Sequence, residues 1–260
     1  MSAAYELATR GFTFLRRSLA PARVMLLREA IDRMQAEDEA RYGTAVLHGM
    51  GQLGALRNLC DFGVPFEELL TDSPIFPLLD ALLGSDYVLH SYDGLVLLPR
   101  NGRFPWDFHT DLMPLRGVAF PAERTPGINC LYYLDEVTAA NGATWIVPSS
   151  HRSLLMQPPP ERLAARAIQA AGSPGDVLLF DSRLWHCAGN NTTTAPRRLI
   201  KALFCQPWLR PQMDYSRAVR AEVMDRLPIR VRHLLGVGVA PPATVEELRQ
   251  SLAAGRVAQA

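Results

Sequence analysis

Cysteine is scarce and scattered in this sequence: Cys60, Cys130, Cys187 and Cys205 stand alone among 260 residues, with no CxxC or other paired spacing. A disulfide framework and a zinc knuckle both need closer pairs, so neither is expected, and the four read as ordinary buried or half-buried thiols. Long apolar runs are missing too, since none approaches the ~18 to 20 residues that span a bilayer. The N-terminus, MSAAYELATRGFTFLRR, lacks the basic-then-apolar order of a secretory signal. These absences predict a cytoplasmic protein with no membrane partner. No charge of one sign dominates: 27 Lys+Arg against 26 Asp+Glu leave a formal net charge of +1, which gives no electrostatic ground for nucleic-acid binding. Internal repeats and low-complexity linkers are also missing. What is present is a composition 48% hydrophobic and 20% charged, suited to a globular chain with a real core.

The pattern divides the chain into three stretches. Residues 20–42 place Val24, Leu27, Ile31 and Met34 at helical spacing behind Pro21, and a second helical piece runs over 65–83, broken near Pro74 and Pro77 and closed by Gly84. From Tyr87 the runs become short, over 87–98, 128–134, 144–147, 176–180 and 199–206, each bounded by Gly, Pro or Asn. Such punctuated strands predict an antiparallel barrel or sandwich. After Trp208 helix returns, with Val219, Val223 and Leu227 on one face before Pro228, and the tail beyond Pro241 is Ala-rich and loosely held. The expectation is one domain over 1–260: a helical N-terminal layer over about 1–86, a β core over about 87–208 and a helical tail over about 209–260.

The segment Trp106-Asp107-Phe108-His109-Thr110-Asp111 carries the chemistry. In extended chain, residues two apart share a face, so the His109 imidazole and the Asp111 carboxylate converge on one point. Two ligands at that spacing suit adjacent positions on a metal, and the best third is His186, just past the strand that Gly175-Asp176 opens. Two histidines and one carboxylate form the facial triad that leaves positions open on Fe(II) for O2 and a chelating cosubstrate. A dicarboxylate cosubstrate also needs a fixed cation for its far end, a role that suits arginine's planar fork. Arg197, eleven residues after His186, is one candidate; Arg198, whose strand parity is shared with Ile200, Ala202 and Phe204, is the other.

At this point the sequence resembles the phytanoyl-CoA dioxygenase family of iron/2-oxoglutarate enzymes, from about Phe12 to Gly236. The pieces that carry the resemblance are His109-Thr110-Asp111, the loop Asn141-Gly142-Ala143-Thr144-Trp145-Ile146-Val147-Pro148-Ser149-Ser150-His151-Arg152, and Gly175-Asp176 leading to His186 and Arg197. It implies a mostly β fold with flanking helices around a double-stranded β-helix (jelly-roll, cupin-like) core. It implies Fe(II) on His109, Asp111 and His186, with 2-oxoglutarate and O2 converted to succinate and CO2 as a substrate is oxidised. The spacing to the distal arginine selects Arg197 over Arg198. Asp111 argues for hydroxylation, because related halogenases lack this carboxylate. Two departures stand out: Ser149 occupies a position where glycine usually precedes Ser-His, and Ala188 stands where relatives often have serine. Asn129, polar in an otherwise apolar strand, is the candidate for a compensating hydrogen bond to the cosubstrate.

Other residues read more plainly. Arg57, Arg100, Arg103, Arg116 and Arg124 flank regions expected to rim the pocket; most are solvated charges, with Arg57 and Arg116 the candidates for an anionic group on the substrate. Tyr92, on the strand leading to the HxD segment, is a candidate to reach the site. His48, His90 and His233 read as structural or surface residues, His151 as a local hydrogen-bonding group, and Trp145 and Trp185 as core. The favoured reading is a hydroxylase of a free small molecule, an amino acid or a secondary-metabolite intermediate, working as monomer or homodimer. The competing readings are an oxygenase of acyl-CoA or carrier-bound acyl groups, a metal-retaining binding module without turnover, and a zinc hydrolase.

Overall fold

A computed structural model of the chain describes residues 2–99, 107–111, 124–152, 160–238 and 244–257. Helix α1 (Ala3–Arg10), capped by Ser2, leads through Gly11 into strand β1 (Phe12–Leu15). Helix α2 (Pro21–Tyr42) starts at the expected proline and buries Val24, Leu27, Ile31 and Met34. A short α3 (Thr44–Gly49), strand β2 (Ala55–Leu56), α4 (Val64–Thr71) and α5 (Phe76–Leu83) follow. The chain breaks between α4 and α5 around Pro74 alone. Pro77 lies in the first turn of α5, where a missing N–H costs nothing.

The strands then come as β3 (Val88–Leu97), β4 (Gly127–Tyr133), β5 (Trp145–Ile146), β6 (Ile168–Gln169), β7 (Val177–Asp181), β8 (His186–Cys187) and β9 (Arg197–Cys205), with α6 (Pro160–Ala164) between β5 and β6. Six strands form one antiparallel sheet in the order β1-β7-β4-β9-β3-β2; the other three form a second sheet, β6-β5-β8. The N-terminal layer is thus less purely helical than the sequence suggested. β1 is not evident in the sequence because four residues followed by Arg16-Arg17 give too short an alternation to register, yet it pairs with Val177 to Phe180 of β7. The C-terminal stretch is three short helices, α7 (Tyr215–Ala218), α8 (Ala221–Arg226) and α9 (Ile229–Leu234), because Arg220 and Pro228 are extended between them. Val219, Val223 and Leu227 are buried all the same. The last helix, α10 (Val245–Val257), exposes Val245, Leu248 and Leu252.

Strand alternation separates two cores. Ile128, Cys130 and Tyr132 of β4, Val177 and Leu179 of β7, and Ile200, Ala202 and Phe204 of β9 face the helices, packing with Leu27, Ile31, Phe66, Leu69 and Leu79. Leu131 and Tyr133, Leu178 and Phe180, and Leu199 point the other way, to a smaller core with Ile146, Val137 and Leu184. The register aligns this inward face in rows: Ser91, Leu203, Asn129 and Phe180, then Asp93, Lys201, Leu131 and Leu178. Helices cover one face of the large sheet; the other lines the interior where the site forms.

Candidate metal centre and its cavity

His109 and His186 form an isolated antiparallel bridge, each N–H donating to the other's carbonyl at 2.9 and 3.0 Å. Two residues on, the Asp111 N–H donates to the Ser182 carbonyl at 3.0 Å. Backbone pairing therefore ties the proximal HxD segment to the distal histidine, and one ligand atom from each of His109, Asp111 and His186 falls within 4.8 Å of the others. Both imidazoles are oriented from behind: Nδ1 of His186 lies 2.9 Å from the Leu184 carbonyl, and Nδ1 of His109 lies 3.1 Å from that of Asp107. A carbonyl accepts only from Nδ1–H, which leaves Nε2 with its lone pair free for a metal. His186 Nε2 stands 3.7 Å from Asp111 Oδ2.

Electrostatics keeps the set in ligating form. Burial alone would raise the Asp111 carboxyl, but the Lys201 ammonium and the Asn129 amide outweigh it and hold the group well below the usual carboxylate range. Lys201 Nζ donates to Oδ1 at 3.0 Å and Asn129 Nδ2 to Oδ2 at 2.8 Å. Burial pushes His186 down to about 4 against the pull of Asp111, so its ring is neutral at physiological pH. Two imidazoles and one ionised carboxylate, with no fourth His, Cys, Asp or Glu ligand among the described residues, fit a divalent iron better than a closed structural zinc site.

The centre opens into a cavity of about 580 Å³. His109, Asp111, His186, Asn129, Phe180, Arg197, Leu199 and Lys201 line its inner part, and His48, Gly51, Leu53 and Gly54 line another stretch of wall with Leu95 to Pro99. Alternation on β9 turns the two arginines to opposite faces: Arg197 shares the inward parity of Leu199 and Lys201, whereas Arg198 shares that of the helix-facing residues and is bound by Asp32 and Asp135. Arg197 is 4% exposed, and its Nε and Nη2 donate to the carbonyls of Asn141 and Gly142 at 3.2 and 3.0 Å. It has no carboxylate ion pair among the described residues, and burial pushes it down to about 10. A buried cation without a counter-charge among the described residues is costly to the fold.

The signature loop supplies that cradle. Asn141 closes the turn, accepting from the Thr138 N–H at 2.7 Å and donating to the Glu136 carbonyl at 2.6 Å. Ser149, the residue that departs from the family's glycine, has φ 63, the left-handed region glycine adopts freely. Its hydroxyl donates to the Thr9 carbonyl at 3.0 Å, which offsets part of the strain. His151 Nε2 meets the Ala8 carbonyl, the local role expected of it.

Two sequence candidates lie elsewhere. Arg57 donates to Gln52 and Asp93 and does not line the cavity, its guanidinium being used in holding Asp93. Tyr92 is fully buried on the helix side, its hydroxyl donating to the Phe66 carbonyl at 3.0 Å. The register irregularity between Leu89 and Ser91 sets the alternation phase that turns it away. Arg116, with Arg100 and Arg103, lies outside the described residues. All four cysteines are buried, and none forms a disulfide.

The reading of the sequence passed over Lys201 and took His48 for a structural or surface residue. The signal for Lys201 was in the composition: of 27 cationic side chains it is the single lysine. It also lies four residues beyond Arg197, on the same face of β9.

The comparisons with known proteins agree with this geometry. Residues 7–199 match the family described as phytanoyl-CoA dioxygenase (PhyH). An uncharacterized protein of Mycobacterium tuberculosis, Rv1501, is 28% identical over 234 residues, which is 87% of this chain and 82% of that one. The dioxygenase af480 of Aspergillus fumigatus is 23% identical over 175 residues, 66% of this chain and 55% of its own. Among solved structures, EctD from S. alaskensis with 2-oxoglutarate and 5-hydroxyectoine superposes with a TM-score of 0.60 at 23% identity, covering 82% of this chain and 78% of that one. That likeness confirms the double-stranded β-helix (jelly-roll) implied by the family resemblance, which agrees with the barrel or sandwich read from the strand pattern. No helix among the described residues is long and apolar enough to cross a membrane. A match over 7–199, with the two histidines and the aspartate brought together in the fold, places the chain in the phytanoyl-CoA dioxygenase family, as a 2-oxoglutarate-dependent non-haem iron dioxygenase.

Proposed function

We propose that the enzyme hydroxylates a free small molecule, an amino acid or a secondary-metabolite intermediate, in the cavity above His109, Asp111 and His186. The observation that carries this is the unpaired, buried Arg197 in the same cavity as the triad. When bound, the iron supplies the oxidising chemistry, coupling decarboxylation of 2-oxoglutarate to attack on a substrate C–H bond. The chain supplies position and exclusion of water. His109, Asp111 and His186 would hold the metal, and Arg197 would take the distal carboxylate of 2-oxoglutarate through its remaining N–H donors. Asn129 holds Asp111 in place and presents a buried Oδ1 that has no partner, an acceptor left for a bound molecule.

A free metabolite is favoured over acyl-CoA by the described lining. Among the described lining residues the Lys and Arg side chains are Arg197 and Lys201, two cations on β9 rather than a cluster suited to a nucleotide phosphate. The presence of Asp111 favours hydroxylation over halogenation. Succinate formation with Fe(II), 2-oxoglutarate and a metabolite panel tests the reading. Substrate-stimulated succinate with a product heavier by one oxygen is expected. Halogen incorporation, or turnover that persists without O2, would overturn it.

A further inference from the structure

We infer that Lys201 is a substrate-binding residue, and that the molecule oxidised carries an anionic group, carboxylate or phosphate, which pairs with its ammonium. The inference rests on the oxygenase reading above and narrows its substrate class.

Lys201 stands in the inward row of the large sheet, flanked in register by Asp93 on β3 and Leu131 on β4. Its neighbours explain only part of its charge. Asp93 takes its direct ion pair from Arg57 at 3.0 Å and feels Lys201 only through space. One contact remains, Nζ to Asp111 Oδ1. An ammonium carries three donors, and the structure gives a partner for one of them. The side chain is 22% exposed, and Lys201 lines the cavity. The other donors can therefore meet a bound molecule beside the metal ligands.

The choice of residue supports the same conclusion. Apart from His186, every other ion pair among the described residues is made by arginine. If Asp111 needed only a structural counter-charge, the chain's habit would supply a guanidinium. An ammonium on a flexible stem differs in kind: it holds one oxygen while its remaining protons turn toward a second anion, which a rigid planar fork does poorly. The anion it receives is distinct from the one Arg197 receives. Four residues along a strand separate the two by about 13 Å of backbone, so they serve opposite ends of the interior.

The test uses the anaerobic holoenzyme loaded with Fe(II) and 2-oxoglutarate, titrated by calorimetry with benzoate, inorganic phosphate and, as the uncharged counterpart, benzamide. At least one anion is expected to bind wild type while benzamide does not, and the responding anion tells carboxylate from phosphate. Lys201→Met is expected to weaken that binding about 10- to 100-fold, the range of a charge-assisted hydrogen bond. Lys201→Arg, which keeps a cation on Asp111 but presents a rigid fork, should restore little of it, whereas a defect due only to lost Asp111 positioning would be rescued. Anions that bind no better than benzamide, or that bind Lys201→Met as well as wild type, overturn the proposal. So does a Lys201→Met variant whose only defect is in 2-oxoglutarate affinity, which would assign the residue to the cosubstrate. Should that variant fail to fold, wild type still decides. The chain has one lysine, so amine acylation followed by mass spectrometry reads this side chain alone apart from the N-terminus. The bound anion must slow that acylation, and an unchanged rate refutes the idea. Succinate formation is scored separately, so failure of the oxygenase reading is visible independently of the anion site.

Discussion

Arg197 and Arg198 are neighbours in sequence and opposites in the fold. Arg198 faces the helices, where Asp32 and Asp135 surround it and raise its affinity for its proton against the effect of burial. Arg197 faces the cavity, where peptide carbonyls touch it, no carboxylate pairs with it among the described residues, and burial lowers it to about 10. The same side chain is thus neutralised by carboxylates on one face of the sheet and held only by peptide oxygens on the other. The contrast extends across β9, whose outward residues Ile200, Ala202 and Phe204 are apolar while Lys201 points inward. A charge that the fold leaves unneutralised at real cost marks function more sharply than a charge that is merely present.

The strongest test of the inward face removes the metal ligands. Asp111→Ala and His186→Ala should each reduce iron-dependent succinate formation to background with circular dichroism unchanged, and wild-type turnover in either would break the assignment. Next in size is the arginine pair. Arg197→Ala should raise the half-saturating 2-oxoglutarate concentration roughly 30-fold or more, as loss of one partner of a buried charge pair costs ~2–5 kcal/mol. Arg198→Ala should leave that concentration alone and lower unfolding stability by about 1–2 kcal/mol. Equal effects of the two variants on 2-oxoglutarate would erase the distinction between the faces.

Smaller again is the effect expected at Asp176, the turn residue that launches β7 between the two cores. Its carboxylate accepts from Arg17 N–H at 2.8 Å, Arg16 Nη1 at 2.7 Å and Ser173 N–H at 3.0 Å. Burial works against ionisation there, but these donors prevail and the carboxyl lies below its ordinary 3.8. The stability it contributes is therefore full above that pH and is lost as pH falls through the lowered folded value. Asp176→Asn should cost about 1–3 kcal/mol at neutral pH, with the gap to wild type closing in acid, as read by urea melts. Least affected should be thiol chemistry. Burial raises the four cysteines, Cys205 to about 12, so iodoacetamide should label none of them in the native protein and all four in denaturant.

The metal centre was legible because its chemistry is local: two ligands two residues apart in extended chain, and a third followed at fixed spacing by an arginine. β3, β4, β5, β7 and β9 were legible from their punctuation, each within one or two residues of its observed bounds, whereas the short β1, β2, β6 and β8 were not. What could not be read was phase. Arg57 and Tyr92 lie on the right segments but point to Asp93 and to the Phe66 carbonyl, because alternation around an irregular strand is set by pairing partners far away in sequence. β1 escaped notice for a related reason, since an edge strand of four residues is defined by its neighbour more than by itself. Lys201 was passed over because a single lysine in a strand looks like an ordinary surface charge until the sheet places it indoors.

The grip on Arg197 by the carbonyls of Asn141 and Gly142 makes the cavity tolerant of sequence drift. Peptide oxygens are the same whatever side chain the loop carries, so most substitutions there leave the grip untouched. The exceptions are Asn141, whose side chain closes the turn, and Gly142, with φ 88, where a side-chain carbon would come within 2.5 Å of Leu97 and 2.9 Å of the Gly189 carbonyl. Mutational risk that would otherwise be spread along the loop is concentrated at these two adjacent residues, which act as its fuse.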